Sequence, residues 1–195
     1  MKKVVVVAAK RTPIGSFMGS LSDIKPTDLG AIVVRDLLSS IKLDPSEVDE
    51  VFMGHVLQAG TGQAPARQVA LNSGIPNNVP CTTINKVCAS GMKSIMLGVQ
   101  AIKAGDAECV LAGGIENMNL APFILPKARY GYRMALEASD QVLDGMVYDG
   151  LWDIFNNYHM GMTAENVADK YKISRDEQDI FALNSQEKTQ KAVRE

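Results

Sequence analysis

The first apolar signal along the chain is continuous rather than periodic. Residues 3–9 read Lys-Val-Val-Val-Val-Ala-Ala, and an unbroken β-branched run predicts a parallel strand buried on both faces. Residues 27–41 switch to helical spacing, with Leu29, Ile32, Val33, Leu37 and Ile41 on one face. The Asp44-Pro45 break leads to a second predicted strand over 48–56 and a short helix over 64–72 that stops at Gly74 and Pro76. A third strand over 82–87, a third helix over 89–104 ending at Gly105, and a fourth strand over 108–112 complete the series. Strand and helix alternate throughout, which predicts an α/β fold: a mostly parallel sheet with helices on both faces.

The third helix interleaves Ala89, Ser90, Gly91, Ser94, Gly98 and Ala101 with Met92, Ile95, Met96, Val99 and Ile102. Each internal glycine costs about 1 kcal/mol of helix propensity relative to alanine, so another backbone is expected close by. The pattern predicts a helix buried on most sides, covered by a second layer from another domain or subunit. Residues 119–155 lose all periodicity and carry Pro122, Pro126, Gly131, Gly145 and Gly150; long irregular segments of this kind are functional or flexible. Two helices follow, over 163–171 and from Ser174-Arg175-Asp176-Glu177, a capping-box pattern. The last one reaches Glu195 without a stop signal, as expected of a chain cut inside a domain.

A length of 195 residues leaves room for one domain plus part of a second. The apolar fraction of 46% and charged fraction of 22% are those of an ordinary globular protein. A net charge of -2 gives no electrostatic footprint for nucleic acid, and no apolar run reaches membrane-spanning length. The run 4–9 is too short for a signal-peptide core. Three cysteines without C-x-x-C spacing predict reduced thiols, a cytoplasmic protein and no metal site.

Cys88 is the strongest candidate for chemistry. A β-prone run leads to it and a helix follows it, so its sulfur is expected to face unpaired N–H groups and the positive end of the helix dipole. That is the setting of a reactive cysteine; the alternative is an inert small hydrophobe in the core. Cys81 and Cys109 lie within predicted strands and are assigned to packing. His55 ends a strand and is read as structural. Glu116 is expected to anchor the loop after Gly113-Gly114 by hydrogen bonds, and Arg67 to serve packing or a subunit contact. Gly60-Thr61-Gly62 lacks the spacing of a phosphate-binding loop.

Six ordered segments carry a resemblance: Arg11-Thr12-Pro13-Ile14-Gly15-Ser16-Phe17, the stretch 62–70 (Gly-Gln-Ala-Pro-Ala-Arg-Gln-Val-Ala), Asn85-Lys86-Val87-Cys88-Ala89-Ser90-Gly91, Gly113-Gly114-Ile115-Glu116-Asn117-Met118, Asp149-Gly150-Leu151-Trp152-Asp153, and the stretch 158–165 (Tyr-His-Met-Gly-Met-Thr-Ala-Glu). Along its whole length the chain resembles the thiolase family, specifically the biosynthetic acetyl-CoA acetyltransferases.

The resemblance implies a thiolase N-terminal domain over 1–118, lacking its last strand, and the opening part of an inserted loop domain over 119–195. The family's C-terminal half would be absent, and the missing fifth strand implies an open sheet edge. The implied activity is reversible condensation of two acetyl-CoA to acetoacetyl-CoA and CoA through an acyl-cysteine at Cys88. It further implies that Leu151, His159 and Met160 line the pocket for the pantetheine arm of CoA. No cofactor beyond the CoA thioesters is implied. The implied partners are an acyl-CoA substrate and either further copies of the chain or the missing half, with no nucleic acid and no membrane. The family's Gly-His-Pro base, its second cysteine in a Cys-x-Gly-Gly-Gly segment and its Asn-Glu segment do not occur in these residues, so the chain alone is expected to be inactive. Asn119 stands where a small hydroxyl residue is usual. The competing readings are a related condensing enzyme of the same fold and a non-catalytic or split-enzyme subunit.

Overall fold

The computed structural model describes residues 3–132 and 142–195. The chain forms two compact units, Met1–Gly150 and Leu151–Glu195. In the first unit the elements run α1 (Pro26–Ile41), β1 (Glu50–Gly54), α2 (Pro65–Asn72), β2 (Cys81–Ile84), α3 (Ser90–Ala104) and β3 (Val110–Gly114), followed by β4 (Phe123–Ile124), β5 (Leu143–Asp144) and α4 (Gly145–Gly150). β1 is the middle of a three-stranded parallel sheet, ordered β2-β1-β3, with Val51 opposite both Cys81 and Leu111. The predicted alternation thus holds from α1 to β3.

Side-chain alternation along the strands sets the layers. Val51, Met53 and Leu111 point into a core shared with Val34 and Leu38 of α1 and Ala66, Val69 and Ala70 of α2. Gly54, Val110 and Ala112 point the other way, to α3. The result is a helix layer, a sheet and a second helix layer. Gly74 and Gly105, at the predicted helix ends, adopt φ +93° and +92°.

Two expectations are corrected. Residues 3–9 form no strand, and Val5, Val6 and Val7 are 62%, 80% and 71% exposed. A strand exists only where a second backbone lies about 4.8 Å away. Here a largely apolar slot of about 460 Å³, lined by Val4 to Thr12, α1, α3 and the segment from Val110 to Glu116, lies between this run and β3. Among the described residues the sheet therefore has three strands rather than four, and none pairs with the outer edge of β3.

The second correction concerns α1. Its buried residues are Pro26, Thr27, Gly30, Ala31, Val34 and Leu38. The predicted stripe of Leu29, Val33, Leu37 and Ile41 is half-buried and lines the slot, while Ile32 is exposed.

The layer expected to cover α3 was assigned to another domain or subunit, and in this chain α3 buries one face only. Ser90, Ser94 and Gly98 are its buried residues, whereas Met92, Ile95 and Met96 are exposed. The close backbone approach foreseen from its glycines is made by its own sheet. A Cβ on Gly98 would lie 3.0 Å from Val110 Cγ1, and one on Gly54 would lie 2.5 Å from Gly91 N and 2.7 Å from Ser90 O. The first turn of α3 therefore sits directly on the end of β1.

The second unit holds β6 (Trp152–Asp153), β7 (Tyr158–His159), α5 (Met160–Tyr171) and α6 (Arg175–Arg194). β6 and β7 form an antiparallel pair. Ser174 caps α6 in the foreseen capping box, its Oγ accepting from Glu177 N and its backbone N donating to Glu177 Oε2. Among the described residues from Asn119 on, the strands are only two residues long and α4 spans six, so the stretch expected to be irregular holds short elements only.

Candidate active site

Cys88 lies on the turn between β2, which ends at Ile84, and α3, which starts at Ser90. Its thiol is free and exposed. Polar side chains build this turn. Asn85 Oδ1 accepts from Val87 N at 2.9 Å, and Ser90 Oγ accepts from Lys86 N at 2.9 Å while donating to Val87 O at 2.6 Å. Ser90 N also donates to Val87 O, at 3.0 Å. These bonds hold Val87 at φ +48°. A β-branched residue adopts the left-handed region at a cost on the order of 1–3 kcal/mol and only where its surroundings over-determine it.

The turn is fixed to the sheet by small residues. Gly54 lets α3 descend onto β1, and Ser94 Oγ lies 2.7 Å from Gly113 O and 2.6 Å from Gly91 O, so its one proton serves one carbonyl at a time. The position of the Cys88 turn is thereby set by contacts between backbones, without long side chains between them.

The other two thiols are half-buried and pack against the core, as expected. Burial pushes the Cys81 thiol up from its ordinary value, against the opposing charge of Arg67. Burial also pushes up Cys109, and the carboxylates of Asp49 and Glu47 add to it. Exposure thus separates Cys88 from both.

His55 is sealed from solvent, with Nε2 3.1 Å from Glu116 Oε1. Glu116 Oε2 accepts from Val56 N at 3.0 Å and Leu57 N at 3.4 Å. Both residues play the structural parts expected of them, but their pairing across 61 positions left no mark in the sequence. Arg67 donates to Asn77 O at 3.1 Å, a packing role. Asn117 Nδ2 lies 2.8–3.1 Å from the carbonyls of Leu21, Ser22 and Ile24. Asn119 Oδ1 accepts from Met18 N, so the unusual residue ties down the opening loop.

In the second unit Leu151, His159 and Met160 come together on one hairpin. Trp152 pairs with His159, and Met160 N donates to Leu151 O at 2.9 Å. His159 is the N-cap of α5, its Nδ1 accepting from Gly161 N at 3.0 Å. The neutral ring then carries its proton on Nε2, which is left to donate to a ligand. His159 and Met160 are exposed and Leu151 is half-buried. Among the described residues no three His, Cys, Asp or Glu side chains cluster as metal ligands do, and no helix is long and apolar enough to cross a membrane.

A layered α/β unit that holds an exposed cysteine on a strained turn between strand and helix defines the class. The chain belongs to the thiolase family: residues 4–195 match the family described as Thiolase, N-terminal domain. An acetyl-CoA acetyltransferase of Pseudomonas aeruginosa is 55% identical over 193 residues, which are 99% of this chain and 48% of the relative. A probable acetyl-CoA acyltransferase of Staphylococcus aureus is 53% identical over 194 residues, again 48% of its length. The chain thus spans about half the length of the curated relatives it matches.

Proposed function

We propose that this chain is the N-terminal part of an acetyl-CoA C-acetyltransferase and that Cys88 is its nucleophile. The observation that carries the reading is the exposed Cys88 thiol on a rigid turn at the head of α3, in a chain whose relatives bear acetyltransferase names. A base takes the Cys88 proton, the thiolate attacks the thioester carbonyl, the bond from that carbon to the CoA sulfur breaks, and CoA takes up that proton and leaves as the thiol. A second acetyl-CoA loses an α-proton to a base, its enolate attacks the acyl-cysteine carbonyl, the bond from that carbon to the Cys88 sulfur breaks, and acetoacetyl-CoA forms while Cys88 takes up the proton. Two steps of this kind replace one harder step.

In this reading residues 1–118 form the N-terminal domain and 119–195 open the loop domain, whose Leu151, His159 and Met160 contact the pantetheine arm. No metal or bound redox cofactor takes part, and the protein works in the cytoplasm as an oligomer. The base for Cys88 comes from outside these residues, because both histidines are engaged elsewhere: His55 against Glu116 and His159 at Gly161. Each positioned acid or base is worth about 10²–10⁴-fold in rate, so turnover needs the second half.

The test is thiolysis of acetoacetyl-CoA by this chain alone and after mixing with the separately produced second half of the Pseudomonas aeruginosa relative. Activity only in the mixture, lost with Cys88→Ala, is expected. Activity that survives Cys88→Ala contradicts the proposal.

A further inference from the structure

We infer that Glu116 is a positioning residue for Cys88, acting through residues 55–57 and Asn85 rather than by touching substrate. The inference rests on the nucleophile reading of Cys88 and extends it to a residue 28 positions away in sequence.

Past Gly54, β1 has no further ladder partner, yet the chain stays half-buried or buried through Val56 and Leu57. Buried amides need acceptors, and one carboxylate oxygen of Glu116 serves both of these. Its other oxygen meets His55 Nε2 inside the protein. Glu116 thereby anchors the amides of Val56 and Leu57 and lies beside the His55 ring.

Those residues hold the cysteine turn at two points. His55 N donates to Ile84 O at 2.9 Å, and Asn85 Nδ2 donates to Val56 O over a longer 3.4 Å. Asn85 then spends its Oδ1 on Val87 N, the amide of the left-handed residue that precedes Cys88. The path Glu116, Val56, Asn85, Val87 therefore ends one residue from the sulfur. A strained turn persists only while its supports stand. Without Glu116, residues 56 and 57 lose their common anchor, and Val87 can relax and shift Cys88 relative to the start of α3.

The test is the rate of alkylation by iodoacetamide at neutral pH, resolved for each cysteine by peptide mass mapping of the folded chain. Cys81 and Cys109 are internal controls in the same unit. Glu116→Gln is expected to slow Cys88 by about three- to tenfold, inside the roughly two- to thirtyfold that a helix end is worth to a nearby charge. Loss of a negative charge alone would speed a thiolate, so slowing reports geometry. Glu116→Asp keeps the charge but withdraws the carboxylate, and should slow Cys88 similarly; it also serves if Glu116→Gln fails to fold. Cys81 and Cys109 should keep their rates. In an Asn85→Ala background Glu116→Gln should add little, because both substitutions cut one path.

An unchanged Cys88 rate in the Glu116 variants overturns the inference, as does a common acceleration of all three thiols, which marks general loosening. Fully multiplicative effects of Asn85→Ala and Glu116→Gln would also overturn it. Acetyl-CoA does not enter the assay. Failure of Cys88 to accept an acetyl group would therefore sink the proposed function alone, and unchanged alkylation with intact acylation would sink this inference alone.

Discussion

Val51, Ala66 and Val69 of the first unit are sealed from solvent, whereas no residue of Leu151–Glu195 is buried. The first unit is held by contacts between distant segments: a parallel sheet, a two-helix layer above it and a helix seated directly on its strands. The second is held by neighbours in sequence. Its order comes from the Ser174–Glu177 capping box, the His159 cap and the Arg175–Asp179 pair one helical turn apart. Such local devices define where a helix starts and stops but contribute little burial, and burial is the main stabilising term of a domain. Ile180, Phe181 and Leu183 all remain exposed on α6. Cys88 belongs to the first kind of structure and the hairpin of Leu151, His159 and Met160 to the second.

The contrast breaks most sharply at Gly54. Gly54→Val would force a side chain into the backbone of Ser90 and Gly91, where nothing flexible can yield. The expected cost is about 5 kcal/mol or more, comparable to a domain's whole stability. Urea denaturation followed by far-UV circular dichroism should show no cooperative transition. A normal transition would mean that α3 is not seated on β1.

A matched pair of truncations is the next test. Ile75 is buried in the core of the first unit and Leu183 is exposed in the second. Ile75→Ala should cost about 2–5 kcal/mol through lost burial and the cavity left behind, and Leu183→Ala should stay within about 0.5 kcal/mol. Equal effects would erase the distinction between the units.

The smallest effect expected is a pH dependence. Asp49 Oδ2 accepts from Cys109 N and Glu108 N, and these bonds, that of Cys109 first, lower its pKa below the ordinary 3.8. The unfolded chain therefore takes up a proton at this position before the folded one does. The stabilisation is complete above 3.8 and is lost as pH falls through the lowered folded value. Asp49→Asn should flatten the acid side of the stability curve over that range, a modest change because the group is exposed. An unaltered acid limb would remove Asp49 from the account.

Helix positions were legible because they are written locally. Gly74 and Gly105 mark helix ends, and Ser174 with Glu177 marks a start, through residues a few positions apart. The Cys88 turn was legible for the same reason. The failures are of another sort. The valines of 3–9 have every property of a strand except a partner backbone, which sequence pattern cannot supply. The glycines of α3 announced a close approach without saying whether their own sheet or another layer would make it. The Glu116–His55 pair and the bonds of Asn117 to the 21–24 carbonyls join residues more than fifty positions apart, and no local signal specifies such partners.

The central claim is that Cys88 accepts the acyl group, and trapping that group tests it most directly. The chain, mixed with the second half of the Pseudomonas aeruginosa relative, is incubated with acetyl-CoA, quenched in acid and mapped by peptide mass. The account predicts a hydroxylamine-labile acetyl group on the Cys88 peptide, with Cys81 and Cys109 unmodified. Turnover without an acetyl group at Cys88, or with one on Cys81 or Cys109 instead, would contradict it.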